Sequence, residues 1–203
     1  MSDGDGRTGT PLPIGGSQVG GEGFYRFLRY GHILSSLLRE FLESSFLDQV
    51  CPHRLTRSQF CFLKLIAANS ELQVGELARC LGVSPASSSK NLDRLEALGL
   101  VVREMSAEDR RAILLSASDD GRRLVDDYER LKAMRLAPAI EALGPRRTAE
   151  LCDLLQEVCL GLLADNADPE GPCLRCAGYY RPDCAVEELH GECALKPRRG
   201  VEA

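Results

Sequence analysis

Residues 74–85 have the sequence VGELARCLGVSP, and this stretch decides the fold. Its apolar residues share one face of a short helix: Leu77, Ala78 and Leu81. Gly82 follows and can adopt the left-handed conformation that ends helices. Ser84 is a favoured N-cap residue and Pro85 a favoured first helical residue, so a second helix begins after a tight turn. A helix, a glycine turn and a second helix have the spacing of a helix-turn-helix motif.

Two short β-prone segments follow the second helix, which continues to about Leu98. They cover residues 100–104 (LVVRE) and 111–116 (RAILLS) and are separated by a polar, charged tip. This arrangement predicts a small wing of two to three antiparallel strands.

Further helices are predicted on the N-terminal side of the motif. From Phe24 to about Leu47, apolar residues recur at helical spacing and form one stripe along a long helix: Phe27, Leu34, Leu37, Leu38 and Phe41. Pro52 ends that helix. Thr56 and Gln59 have the spacing of a capping box, which predicts the start of a helix that runs to about Asn69.

Two more helices with apolar stripes are predicted after the wing, at about residues 118–143 and 145–165. Pro138 should kink or interrupt the first of them. Cys152 and Cys159 lie on the second and are expected to be core residues. The predicted fold class is therefore mainly α with a small antiparallel wing, a winged helix-turn-helix.

The composition is that of a globular protein. The chain has 203 residues, of which 44% are hydrophobic and 27% charged, enough for one domain with appendages. Its longest apolar runs are far below the roughly 20 residues of a membrane span, and the N-terminus lacks a secretory signal. We therefore expect a cytoplasmic protein with no membrane partner. Residues 1–23 contain eight glycines, which predicts a disordered tail.

Several motifs occur together in the order typical of one family. Besides the stretch at 74–84, they are DRLEALGLV at 93–101 with Arg103, EDRRA at 108–112, and LS followed by GR between 115 and 122. On these motifs the chain resembles the MarR family of winged-helix transcription regulators over about residues 24–165. The resemblance implies a homodimer in which the first and last helices interlock. It also implies that the helix-turn-helix and the wing bind palindromic, double-stranded operator DNA.

The predicted DNA-binding residues begin on the second helix of the motif. If that helix buries Leu92 and Leu95, four hydrogen-bonding side chains lie on the opposite stripe, free to meet a major groove: Ser87, Lys90, Asn91 and Arg94. Asn and Arg can contact base edges, whereas Ser and Lys are equally suited to phosphates. Ser84, at the start of the same helix, is included in the predicted site.

The tip of the wing supplies the remaining DNA-binding candidates. Arg110 and Arg111 suit the narrow, negative minor groove. In the family, the element represented here by Asp109 and Arg111 orders the wing as well as contacting DNA, so Asp109 is expected to have a structural role. Six basic and six acidic residues lie between Glu76 and Arg111, so a DNA-binding face depends on how these side chains are oriented.

Two further expectations follow from the resemblance. In the family, effectors bind between the dimer helices and the DNA-binding lobe, which would place Tyr30, His32 and Phe60 nearby. Ser88 occupies an inner position where the family usually has an apolar residue. Its hydroxyl is expected either to loosen the packing of the helix or to hydrogen-bond to the preceding turn.

The family resemblance does not extend to residues 166–203, a cysteine-rich extension. Four of the nine cysteines lie within 21 residues: Cys173, Cys176, Cys184 and Cys193. This segment has few aliphatic residues, so a bound metal would supply the free energy that a core of its own cannot. Four thiolates suit either tetrahedral zinc or an iron–sulfur cluster, and the single C-x2-C pair leaves both open.

The predicted function is a dimeric, sequence-specific transcription regulator of the repressor type that responds to a small molecule, a redox signal or a metal. One alternative is a redox or electron-transfer protein that acts through the cysteines. Another is a zinc-stabilised protein-interaction module on a winged-helix scaffold. The sequence has three histidines, no Ser-His-Asp arrangement and no credible nucleotide loop, so an enzyme is not expected.

Overall fold

The computed structural model describes residues 21–69, 72–105 and 113–164, and the chain divides into two units between Leu38 and Arg39. Apart from Gly21, the described part of the first unit lies in helix α1 (Glu22–Arg39), and none of the residues of α1 is buried. It begins at Glu22, so two residues that were expected in the N-terminal tail are helical. The predicted apolar stripe is present but exposed.

The predicted helix from Phe24 to Leu47 is helical at every residue, but it is not one α-helix. A π-helical segment (Glu40–Ser45) follows α1, and helix α2 (Phe46–Val50) follows that segment. Tyr128 Oη donates to Leu42 O at 2.7 Å from a position 86 residues away. The carbonyl oxygen of Leu42, in the π segment, therefore has a hydrogen-bond partner outside that segment. This partner is available only because the tertiary fold brings Tyr128 next to Leu42.

The core is built around helix α3 (Arg57–Ala68), in which all residues from Phe60 to Ile66 are buried. Its predicted capping box is confirmed. Thr56 Oγ1 accepts from Gln59 N at 3.2 Å, and Thr56 N donates to Gln59 Oε1 at 3.0 Å. These two bonds give partners to two backbone N–H groups at the helix start, which is what defines a capping box.

The structure confirms the predicted helix-turn-helix, including its glycine turn and its serine N-cap. Helix α4 (Val74–Leu81) ends at Gly82, whose φ of 60° and ψ of 37° are left-handed. Helix α5 (Pro85–Ala97) begins after Ser84, whose Oγ accepts from Ser87 N at 3.2 Å. Helix α5 packs against α3 and α4 and buries Ser88, Leu92 and Leu95.

The wing belongs to a three-stranded antiparallel sheet with the strand order β1-β3-β2. The strands are β1 (Leu72–Gln73), β2 (Val101–Met105) and β3 (Ile113–Ala117). In the register, Leu72 lies opposite Leu115, and Met105 lies opposite Ile113 at the end of the described hairpin. The strand outside the wing hairpin is β1, which comes from the short segment before α4.

Helices α6 (Asp119–Glu141) and α7 (Pro145–Ala164) complete the described chain. Pro138 does not interrupt α6, which continues to Glu141, although its missing N–H leaves the carbonyl of Met134 without its usual helical donor. Helix α7 contacts α6 but buries none of its own residues. Cys152 and Cys159 are therefore exposed, and the expectation that they are core residues is wrong. No helix in the described ranges is long and apolar enough to span a membrane.

Candidate nucleic-acid interface

Helix α5 presents a polar stripe on its exposed surface. Ser87, Lys90 and Arg94 are all exposed and follow one another at helical spacing, so their side chains share one face. Ser84 is also exposed, but its hydroxyl oxygen already caps the helix by accepting from Ser87 N. Three of the four residues of the predicted stripe are therefore exposed, and their contact with DNA stays a prediction.

Asn91 has a different environment from the other members of the stripe. It lies three residues after Ser88 and four before Leu95, both fully buried, so one side of Asn91 faces the core and the residue is half-buried. Asn91 therefore borders the buried face of α5, and the expectation that this residue lies opposite that face is wrong. Asn91 Nδ2 is 3.5 Å from Ser58 Oγ in the first turns of α3.

The contact to Ser58 identifies a neighbour of the interface that sequence reasoning missed. Ser58 and the exposed Arg57 lie in the first turn of α3, beside the stripe of α5. No local pattern connects two residues that are 33 positions apart. The capping box at Thr56 predicts where α3 starts, but only the packing of α3 on α5 brings that start next to Asn91.

The acidic side chains of α5 are paired with a basic residue of the wing. Arg103 on β2 places Nη2 2.6 Å from Asp93 Oδ1 and Nε 3.4 Å from Glu96 Oε2. Within the described part of the chain, Lys90 and Arg94 form no ion pair. In the structure, Arg103 therefore offsets one of the two negative charges of α5, and the two cations of this helix remain available for a ligand.

Ser88 is fully buried, with an exposed fraction of 0%, and its Oγ has no hydrogen-bond partner among the described residues. Its backbone N–H donates to Ser84 O at 2.9 Å as an ordinary helical bond. Of the two expectations for this residue, the hydrogen bond of the hydroxyl to the preceding turn is not found. A buried hydroxyl without a partner lowers the stability of the helix packing.

A charged cluster joins α3, which supports α5, to α6. Lys64 Nζ lies 2.7 Å from Glu129 Oε1, and Lys132 also pairs with Glu129. Burial disfavours the charged form of Glu129, but hydrogen bonds from Lys132 and Lys64 outweigh this effect, and the pKa of Glu129 is lowered. Phe60 and Tyr128 pack beside the cluster with ring centroids 4.5 Å apart.

Two groups of predicted site residues lie outside the described ranges. One is the tip of the wing with Asp109, Arg110 and Arg111; the other is the cysteine set Cys173, Cys176, Cys184 and Cys193. Both remain predictions from sequence. In the part of the chain that the structure describes, no cluster of three or more His, Cys, Asp or Glu residues could hold a metal ion.

Comparison with known proteins gives consistent matches. The MarR family profile matches residues 54–112. The transcriptional regulator FarR of Neisseria gonorrhoeae is 30% identical over 120 residues, which cover 59% of this chain and 82% of FarR. The transcriptional repressor MdtR of Bacillus subtilis is 30% identical over 80 residues, 39% of this chain and 52% of MdtR.

Solved structures show the same fold at lower sequence identity. FabT of Streptococcus pneumoniae, in complex with DNA, has a TM-score of 0.57 and 18% identity, covering 67% of this chain and 96% of FabT. A variant of S. aureus MepR bound to an oligodeoxyribonucleotide has a TM-score of 0.51 and 19% identity, covering 68% of this chain and 97% of MepR.

Proposed function

Because this chain belongs to the MarR family of transcription regulators, we propose that it is a dimeric repressor that binds palindromic operator DNA in the cytoplasm. The observation that carries this proposal is the exposed stripe of α5. Lys90 and Arg94 are one helical turn apart, and the two carboxylates of the same helix are paired with Arg103. Such a stripe suits base edges and phosphates in a major groove.

The proposal of a dimer is supported by the apolar side chains that a single chain leaves in contact with solvent. On α1 these include Phe24, Phe27, Leu34 and Leu37, and on α7 they include Leu151, Leu154, Leu155 and Val158. Monomeric proteins rarely expose contiguous apolar surfaces of this kind. A second copy related by twofold symmetry would bury both helices and would place two α5 helices on one palindrome.

Footprinting on the DNA upstream of the gene for this protein tests the proposal. We expect a protected near-palindrome whose half-sites are about one helical turn apart. Arg94→Ala and Arg110→Ala should each weaken protection, whereas Arg130→Ala, which removes an exposed charge from α6, should not. Unchanged protection with both Arg94→Ala and Arg110→Ala would contradict the proposed interface.

We also propose that Cys173, Cys176, Cys184 and Cys193 bind a metal, either zinc or an iron–sulfur cluster, which stabilises the C-terminal extension and can carry a signal. Elemental analysis and visible absorption of anaerobically purified protein would distinguish zinc from iron. Metal-free protein with a folded extension would contradict both forms of the site.

A signal, whether small molecule, redox change or metal, would act by shifting the population between two spacings of the α5 helices in the dimer. This requires that the signal has different free energies of interaction with the two states. If a Cys173→Ser, Cys176→Ser double variant responds normally to oxidant and metal depletion in operator binding, the extension is structural and the signal enters elsewhere.

A further inference from the structure

Helix α5 is held by other elements on two sides. On one side, the guanidinium of Arg103 lies 2.6 Å from Asp93 Oδ1. On the other, Asn91 Nδ2 donates to Ser58 Oγ at 3.5 Å, at the start of α3. Asp93 and Asn91 are two residues apart, so they lie on nearly opposite sides of the helix. Asn91 comes one helical turn after the exposed Ser87, and it therefore joins the polar stripe to the start of α3.

The Ser58 residue has a fixed position at the start of α3. It lies inside the capping box that Thr56 and Gln59 form there. Every residue from Phe60 to Ile66 of the same helix is buried, so α3 cannot rotate about its axis without disrupting the close-packed core. Ser58 itself is half-buried. Its hydroxyl oxygen is therefore a hydrogen-bond acceptor whose place is set by the core.

The contact with Ser58 fixes which way the Asn91 carboxamide faces. A carboxamide can rotate by half a turn, and this rotation exchanges the places of its oxygen and its nitrogen. With Nδ2 directed at Ser58, one of its two N–H groups is used. The second N–H and Oδ1 can then bind a ligand, as a donor and an acceptor on one planar group.

Adenine is the base that complements this donor and acceptor. In the major groove it presents N7 as an acceptor and its N6 amino group as a donor, which match an N–H and an oxygen of one carboxamide. Guanine presents two acceptors, so Oδ1 would face an acceptor. Cytosine presents a donor, and thymine presents an acceptor beside its methyl group, so each satisfies only one of the two groups. A carboxamide held in this way therefore favours an A·T pair.

We propose that Ser58 is a positioning residue that orients the Asn91 carboxamide for an adenine of the operator. Ser58 acts through Asn91 and does not itself have to contact DNA. Because the carboxamide is held before DNA binds, less conformational entropy is lost on binding. This inference rests on the proposed function, since it names the base that one residue of the stripe contacts.

NMR of the full chain labelled with nitrogen-15 tests the orientation in the absence of DNA. The side-chain amide signals of Asn91 are identified by their loss in Asn91→Ala. We expect Ser58→Ala to shift these signals, because the acceptor is removed, and Ser58→Thr to leave them near their wild-type positions, because the hydroxyl is kept. Ser89→Ala is the control, since Ser89 is exposed and lies two residues from Asn91 on a different side of α5. Asn91 signals that are the same in wild type and Ser58→Ala would overturn the positioning role.

Base preference on the footprinted operator tests the recognition of adenine. Each base pair of one half-site is replaced in turn, and the pair that Asn91 contacts is the one at which Asn91→Ala loses discrimination. We expect wild type to prefer A·T at that pair by about five- to hundredfold. Ser58→Ala should lower this preference by about two- to tenfold, as loss of one hydrogen bond does, and Ser58→Thr should keep it. Because the preference is a ratio of two Kd values of the same variant, a smaller folded fraction cancels from it.

A double variant completes the test of the base preference. Ser58→Ala combined with Asn91→Ala should have the same base preference as Asn91→Ala alone, because Ser58 acts only through the carboxamide. If Ser58→Ala weakens binding to every operator variant equally, Ser58 only supports the packing of α3 on α5, and the positioning role is overturned.

The remaining outcomes separate the base assignment from the proposed function. Discrimination that Asn91→Ala leaves unchanged at every pair, or a preference at the Asn91 pair for a base pair other than A·T, would overturn the recognition of adenine. Absence of operator binding by wild type would overturn the proposed function instead, and the NMR signals would still report whether Ser58 orients Asn91.

Discussion

Arg103 on strand β2 lies 2.6 Å from Asp93 on helix α5, measured from Nη2 to Oδ1, and this ion pair fastens the wing to the polar helix. Arg103 also reaches Glu96 at 3.4 Å. One guanidinium therefore contacts both carboxylates of α5, and its positive charge offsets one of their two negative charges. In the proposed complex, a smaller net negative charge on α5 weakens its repulsion of the operator phosphates.

Replacing Arg103 tests this compensation. Arg103→Ala should weaken operator binding by about five- to tenfold, because two uncompensated carboxylates then lie near DNA, while the free energy of unfolding changes by no more than about 1 kcal/mol. Fluorescence anisotropy and urea unfolding measure the two quantities. Arg130→Ala, which breaks an exposed ion pair on α6, is the matched control and should leave the operator Kd unchanged. An equal effect of the two substitutions would show that the compensation is unimportant.

Ser88→Ala should stabilise the protein. The Ser88 Oγ is buried without a partner in the described structure, so its removal relieves a desolvation penalty of about 1–3 kcal/mol. Ser89→Ala is the control, because Ser89 is exposed in the same helix and its replacement changes only helix propensity, by about 0.5 kcal/mol. Urea midpoints at constant m-value would measure the difference. A gain for Ser88→Ala no larger than that for Ser89→Ala would mean that the hydroxyl has a partner in solution.

Gly121→Ala should destabilise the protein by about 1–3 kcal/mol, as overpacking does. A Cβ atom at this position would lie 2.2 Å from Leu100 O, so α6 would have to move away from the turn that follows α5. Gly75→Ala in α4 provides the contrast. Its Cβ meets nothing within 4 Å, and it should be neutral or stabilising by about 0.5–1 kcal/mol. Thermal unfolding of the two variants, compared with wild type, should show shifts of opposite sign or of clearly different size.

The Glu129 cluster predicts a dependence of stability on pH. Because the pKa of Glu129 is lower in the folded chain than in the unfolded chain, its contribution is complete above the unfolded value of about 4.3. It is lost as the pH falls through the folded pKa. The stability difference between wild type and Glu129→Gln should therefore be constant above about pH 5 and should shrink below about pH 4. A difference that grows on acidification would contradict the assigned direction.

Local chemistry made much of the fold predictable. Gly82, Ser84 and Pro85 act through backbone conformation and capping within a few residues, and the structure has the turn that they predict. The capping box at Thr56 is correct for the same reason. In these places, the physical cause of the structure lies within a few residues of sequence.

Features that depend on distant contacts were not predictable from local patterns. The π segment at 40–45 accepts a hydrogen bond from Tyr128, and strand β1 has only two residues and exists through its pairing with β3. The half-burial of Asn91 follows from its position beside Ser88 and Leu95, but its contact with Ser58 required the packing of α3 on α5. The pairing of Arg103 with Asp93 likewise needed the wing and the helix to be placed together.

The polar stripe of α5 is proposed to contact operator DNA, and the salt dependence of operator affinity tests this contact most directly. For the Lys90→Ala, Arg94→Ala double variant we expect a Kd at least tenfold higher and a shallower slope of log Kd against log salt, because phosphate and base contacts are lost. The control, Arg130→Ala with Arg135→Ala, removes the same charge from exposed positions of α6 and should retain the wild-type slope. If the two double variants have the same Kd and the same slope, the stripe of α5 is not the DNA-binding surface.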